Sequence, residues 1–231
     1  MNIVELDTVG STNDHAKNMA RDGAPAGTVV FAHEQTAGRG RQGNVWVSLR
    51  GNLFMSLILR PAVAVADRGQ LSFLSAVALA TVLETVVPAT VRVSLKWPND
   101  VLLNGKKAAG ILIEAENDFA IVGIGVNIVA APEHAVSLQG LGVKSCDILG
   151  NVLEPLVREI EALVEQWEKN GFQDIRAAWL ARAHKLGGEM TARLQKETLV
   201  GTFGGLDMTG ALQLRLPDGT LKTISSGEVF I

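Results

Sequence analysis

The sequence predicts a chain of two parts, a larger one over residues 1–187 that mixes strands with helices and a small all-β module over residues 188–231. Three observations carry this. Apolar runs of strand length, residues 28–34 and 53–59 among them, recur through the first half. Helical periodicity covers residues 70–87, without internal Gly or Pro, then about 147–169 and 172–184. After Gly187-Gly188, short β runs at 190–194, 199–203, 211–216 and 221–224 alternate with turns, with Pro217-Asp218-Gly219 as a hairpin, and read as a small barrel.

The 231 residues suffice to bury a sizeable core. A formal net charge of −3 with no dense basic run argues against DNA or RNA held through its phosphates. Cys146 is the single cysteine, so an intrachain disulfide and a thiolate zinc cluster are excluded, and the four histidines show no metal-ligand spacing. No metal site is expected from the protein itself. The start, Met1-Asn2-Ile3-Val4-Glu5-Leu6-Asp7, reads as a strand and not as a secretory signal. The apolar stretch 71–87 is interrupted by Ser72, Ser75, Thr81 and Glu84 and is short for a membrane span. A cytoplasmic location without a membrane partner is the expectation.

After the first strand, Ser11-Thr12-Asn13-Asp14 has the form of a helix start, with Ser11 as cap and Asp14 in the first turn; capping by itself explains the quartet. Ala16, Met19 and Ala20 make one apolar face and Gly23 ends it. The strand over 28–34 delivers Gln35 and then Gly38-Arg39-Gly40-Arg41-Gln42-Gly43. As a string this is G-x-G-x-x-G, but no helix follows its last glycine, so the dinucleotide-binding reading lacks its confirming context. What remains is a flexible loop in which glycines allow close approach and two guanidinium forks suit a polyanion. A strand over 91–97 ends in a turn at Pro98-Asn99-Asp100. Residues 101–103 then pair with 108–114 across Asn104-Gly105, with Lys106 and Lys107 beside the turn. A further strand over 121–129 contains Gly123 and Gly125; glycines weaken a strand unless something must approach its backbone, and a ligand against this face is expected.

Taken in order, Ser11-Thr12-Asn13, the glycine-arginine loop with Trp46, Lys96-Trp97-Pro98-Asn99-Asp100 with Lys107 and Gly110, and Gly123-Ile124-Gly125-Val126-Asn127 resemble the motifs of biotin protein ligases. The resemblance covers most of residues 5–129, and the β-rich tail is similar to that family's SH3-like C-terminal domain. It implies an α/β (α+β) fold with a mixed sheet flanked by helices. It also implies an activity: ATP and biotin give biotinyl-5′-AMP and pyrophosphate, and the biotinyl group passes to one lysine on the biotin carboxyl carrier domain of acetyl-CoA carboxylase or a related carboxylase. By the same resemblance, Ser11, Thr12, Asn13 and Gln35 contact biotin. Gly38, Arg39, Gly40 and Arg41 close over biotin and adenylate, with Trp46 and Gly110 beside them. Lys107 meets the biotin carboxylate and acyl phosphate, Asp100 positions the ligand, and Gly123, Gly125 and Asn127 line the adenylate side. Arg39, Arg41, Lys107 and Asp100 are the expected catalytic group, and Mg²⁺ is expected to travel with ATP.

Two departures stand out. Ser11 already belongs to the catalytic pattern, so no helix-turn-helix domain and no DNA partner are expected; and the arginine that some members carry at the extreme C-terminus is missing from Gly227-Glu228-Val229-Phe230-Ile231. Gln42 and Leu49 replace a frequent arginine and proline. Lipoate ligases and octanoyl transferases are the nearest rivals, but Cys146 lies outside every motif. Pairing of two copies through sheet edges stays open.

Overall fold

The computed structural model describes residues 1–230. Strand β1 (Asn2–Val9), helix α1 (Thr12–Arg21) and strand β2 (Thr28–Gln35) form a parallel β-α-β unit, followed by β3 (Leu53–Leu59). Helix α2 (Leu71–Val86) precedes four strands: β4 (Val93–Lys96), β5 (Asp100–Leu103), β6 (Lys106–Ala115) and β7 (Ala120–Val126). These seven strands make one sheet in the order β1-β2-β3-β7-β6-β5-β4, and every pair except β1/β2 is antiparallel. Helices α3 (Glu154–Asn170) and α4 (Gln173–Ala181) follow, then β8 (Glu189–Arg193), β9 (Thr198–Leu206), β10 (Leu212–Arg215), β11 (Leu221–Ile224) and β12 (Glu228–Phe230). The last five form an antiparallel sheet ordered β11-β10-β9-β8-β12.

Alternation along each strand divides the core between the two faces of the large sheet. Val30, Ile58 and Ile121 meet Ala16 and Ala20 of α1 on one side. Val29, Phe31, Met55, Leu57 and Val122 meet α2, α3 and α4 on the other. Helix α2 is buried nearly all round, which is why its sequence is apolar on every face; each such Leu or Val contributes about 1.5–3 kcal/mol on burial. With the 3₁₀ turn before it, this helix spans Val65–Val86, 22 residues, enough by length and composition to cross a bilayer; the protein's own core covers it instead.

The C-terminal sheet packs onto the same core. Phe73 of α2 stacks edge-on against Trp179 of α4, and Trp179 against Phe203 of β9. Trp97 Nε1 donates to the carbonyl of Gly210 at 3.1 Å, and Arg176 Nε to that of Leu206 at 2.7 Å.

Three local expectations change. Asp100 does not sit in the turn but opens β5, opposite Lys96, so the turn is Trp97-Pro98-Asn99. The strand expected to reach residue 129 stops at Val126; past Asn127, Asn52 Oδ1 accepts the backbone N–H groups of Ile128, Val129 and Ala130 and removes them from any ladder. The helix expected from Asp147 begins as a π-helical turn over Ile148–Leu153 and becomes α-helical at Glu154, just ahead of Pro155, which needs no N–H in a first turn. Asn104-Gly105 does make the expected hairpin, with φ of 49° and 80°.

Candidate active site

A cavity of about 420 Å³ opens between the start of α1, the glycine-arginine loop, the β5/β6 hairpin, β7 and the C-terminal strand. Its wall includes Ser11, Asn13, Gln35, Arg39, Gly40, Arg41, Trp46, Asp100, Lys107, Gly110, Gly123 and Gly125, drawn from all the motifs that the sequence singled out.

Ser11 caps α1, its hydroxyl accepting from the Asp14 N–H at 3.5 Å. The next residues, Thr12 and Asn13, are buried in a polar cluster under the cavity floor. Thr12 donates to Gln35 Oε1 from its backbone N–H (2.8 Å) and its hydroxyl (3.0 Å), joining α1 to the end of β2. Ser56, the one hydroxyl in the otherwise apolar strand β3, lies 2.6 Å from Asn13 Oδ1 and 2.8 Å from Thr12 Oγ1. Gln35 Nε2 in turn donates to Ser48 Oγ at 3.1 Å.

The glycine-arginine stretch is a folded hairpin and not an open loop. Gly40 N–H donates to Asn44 O at 2.7 Å, Trp46 N–H to Gly38 O at 2.9 Å, and Gln42 and Gly43 at the tip have φ of 54° and 80°. The return strand carries Trp46 inward. Gly110 and Gly125 are direct cross-strand partners on β6 and β7, and the indole rests on this bare patch: a Cβ at Gly125 would stand 2.5 Å from Trp46 Cε2, and one at Gly110 2.9 Å from Cζ3. A Cβ at Gly123 would overlap Asn13 Oδ1. The chain's own Trp46 and Asn13 approach these glycines, which also remain part of the cavity wall. Trp46 Nε1 is buried without a hydrogen-bond partner, an N–H that a polar ligand can satisfy.

Of the four Lys and Arg side chains on the cavity wall, the three expected ones each stand beside a carboxylate. Lys107 Nζ stands 2.7 Å from Asp100 Oδ1, close enough to pair although the angles make no hydrogen bond, and 5.5 Å from the centre of the Trp46 ring. Arg39 Nη2 lies 2.5 Å from Asp14 Oδ1 and 3.3 Å from Glu114 Oε2. Burial pushes the Arg41 guanidinium below its ordinary value, while Asp100 and Glu228 act in the opposite sense. Such a cluster of cationic donors can bind and neutralise a phosphate–carboxylate pair.

Three expected site residues do not line the cavity. Thr12 stands behind the wall, holding Gln35. Gly38 lies under the hairpin, where a Cβ would stand 2.6 Å from Trp46 O. Asn127 is buried, its N–H donating to Ala108 O and its carbonyl accepting from Leu138 N–H. His134 had no expectation attached, and Gly227, Glu228 and Phe230 of the tail line the cavity although the tail was noted only for the arginine it lacks. Lys96, Pro98 and Asn99, quoted only as parts of a motif, also line it. The lone hydroxyl of Ser56 in Leu53–Leu59 was a readable signal; for the tail the resemblance offered only an arginine that this chain lacks, and Glu228 itself carried no mark. Among the described residues no group of three or more His, Cys, Asp or Glu converges to hold a metal ion.

Residues 6–127 match the model of the Biotin/lipoate A/B protein ligase family, and residues 185–231 that of the Biotin protein ligase C terminal domain. The chain is 40% identical over 234 residues to the biotin–acetyl-CoA-carboxylase ligase of Paracoccus denitrificans, covering 95% of this chain and 96% of that one. It is 36% identical to the bifunctional ligase/repressor BirA of Bacillus subtilis, covering 98% of this chain and 73% of the relative. The solved biotin protein ligase from Aquifex aeolicus in complex with biotin and ATP superposes with a TM-score of 0.85 at 30% identity, covering 99% of this chain and 97% of that one.

Proposed function

The chain belongs to the Biotin/lipoate A/B protein ligase family, and from that premise we propose that it is a biotin protein ligase, joining biotin to a carboxylase in an ATP-dependent reaction through biotinyl-5′-AMP. The observation that carries this reading is the gathering of Arg39, Arg41 and Lys107 around one 420 Å³ cavity, in a chain whose relatives along nearly its whole length are biotin ligases.

The chemistry asks for such an arrangement. Attack of a biotin carboxylate on the α-phosphate of ATP brings two anions together, so cationic donors must neutralise both and hold them in line. We assign Lys107 to the carboxylate and acyl phosphate, and Arg39 and Arg41 to covering the adenylate. Asp100 sets the position of Lys107, and Asn13, Gln35 and Trp46 supply polar contacts and a lid over biotin. No covalent intermediate on the protein is required. Water must be kept from the acyl adenylate until an amine arrives, a task that suits the hairpin carrying Arg41.

The acceptor is one lysine of a biotin carboxyl carrier domain. Mg²⁺ would be held mainly by ATP oxygens and water, with Asp100 and Glu228 the carboxylates on the cavity wall able to assist. The protein works in the cytoplasm, where ATP and the carrier are met; at a net charge of −3, neither DNA nor a membrane is proposed as a partner. Pairing of two copies through a sheet edge is a further proposal, checked by the solution mass.

Incubation of a carrier domain with this protein, biotin and MgATP, read by mass spectrometry, tests the function. One biotinyl group on one lysine is expected; modification by lipoate in preference to biotin would overturn it.

A further inference from the structure

Glu114, near the end of β6, lies outside the cavity lining yet touches two side chains that form it. Its Oε2 accepts from Asn13 Nδ2 at 2.8 Å and stands 3.3 Å from Arg39 Nη2. We propose that Glu114 is a positioning residue: it sets the orientation of the Asn13 amide and parks Arg39, so that the hairpin is held by an ion pair until an anionic ligand takes the guanidinium over. The inference rests on reading the cavity as the biotin and ATP site.

The amide orientation follows from donor chemistry. A carboxylate accepts only, so the NH₂ of Asn13 must face Glu114, and its Oδ1 then faces the Ser56 hydroxyl 2.6 Å away. Turned over, the amide would set oxygen against oxygen at Glu114. Asn13 is thus pinned from two strands, β3 and β6.

The hold on Arg39 is of another kind. Glu114 shares it with Asp14, and the three side chains are 22%, 57% and 42% exposed for Glu114, Asp14 and Arg39 respectively. Pairs this wet are weak and can be exchanged, unlike a buried pair that would not let go. The same oxygen serves both contacts, so release of Arg39 leaves Glu114 to Asn13 alone. A negative charge would then remain close to an anionic ligand, and the guanidinium moving between the two offsets that repulsion.

Trypsin cleavage of the ligand-free protein after Arg39 and Arg41, mapped by mass spectrometry, tests the hold without biotin. Glu114→Gln keeps the size and can still accept from Asn13, but loses the ion pair. Its hairpin cleavage is expected to rise by a factor of roughly two to five, the range that partly exposed pairs span. The ratio to wild type should shrink toward one as salt screens the pair, a signature that loss of packing would not give. Glu114→Ala, which also frees the Asn13 amide, should in addition weaken biotin binding relative to Glu114→Gln. Equal cleavage of wild type and Glu114→Gln at low salt would overturn the proposal; should that variant melt early, Asp14→Asn decides in the same assay. Failure of the wild-type protein to bind biotin would refute the reading of the cavity and leave the cleavage result standing by itself.

Discussion

Lys107 Nζ stands 2.7 Å from Asp100 Oδ1 across the β5/β6 hairpin, so the cation assigned to the reacting carboxylate is positioned by a neighbouring acid. The bulge between Val101 and Leu102 shifts the register so that Asp100 lies opposite Gly110 and Lys107 opposite Leu102, which brings the two side chains to one face. Lys107→Ala is expected to lower adenylate formation by about 10²–10³, as loss of a charged donor at a developing charge does. Transfer from supplied biotinyl-AMP should fall by less. Pyrophosphate release and carrier labelling measure the two steps, and equal losses in both would contradict the assignment.

Arg41 is half-buried at the cavity wall, with Asp100 and Glu228 as its charged neighbours. Arg41→Gly removes both charge and cover, so the adenylate is expected to escape and to label lysines on bystander proteins. Dialysis of the protein after loading with biotin and ATP checks it; retention equal to wild type would refute the role.

Trp46 lies on the patch made by Gly110 and Gly125. Gly125→Ala places a methyl group against the indole, at a cost of about 1–3 kcal/mol and with weakened biotin binding as the ring shifts. Trp46→Ala should relieve the clash, so the double variant is expected to be more stable than the sum of the two single changes. Melting temperatures of the four proteins close that cycle, and strict additivity would argue against the contact.

His184 donates its backbone N–H to Leu95 O at 2.7 Å, extending the edge of β4. Burial lowers its pKa from the ordinary 6.5, and the nearby cations Lys185, Arg92 and Lys96 act the same way. The unfolded chain then binds a proton more readily than the folded one, so stability is full above the ordinary value and is lost as pH falls below it toward the folded pKa. The melting temperature should therefore drop as pH is lowered from about 7.5 to 5.5, and His184→Gln should flatten that part of the curve.

The helix cap at Ser11, the Asn104-Gly105 hairpin and the glycine positions were legible because each depends on its own backbone: a cap on a side-chain oxygen beside free N–H groups, a tight turn on positive φ. The meaning of the glycines was only half legible. That Gly123 and Gly125 needed a bare backbone could be read locally; that Asn13 and Trp46 occupy the space could not, since neither lies near them in the chain.

By itself, then, the sequence determined the kinds of element, the hairpin, and which motifs would carry cations and glycines. Only tertiary structure decided how they meet: Asn13 finds Glu114 101 positions away, Ser56 from 43 positions away, and Asn44 lies 3.5 Å from Glu228 across 184. It also withdrew Thr12, Gly38 and Asn127 from the cavity wall and brought the C-terminal strand to it. The physical reason is that local propensity follows from a residue's own torsions and near neighbours, whereas a contact between distant residues depends on strand order and register, which leave no periodic mark in the amino-acid order.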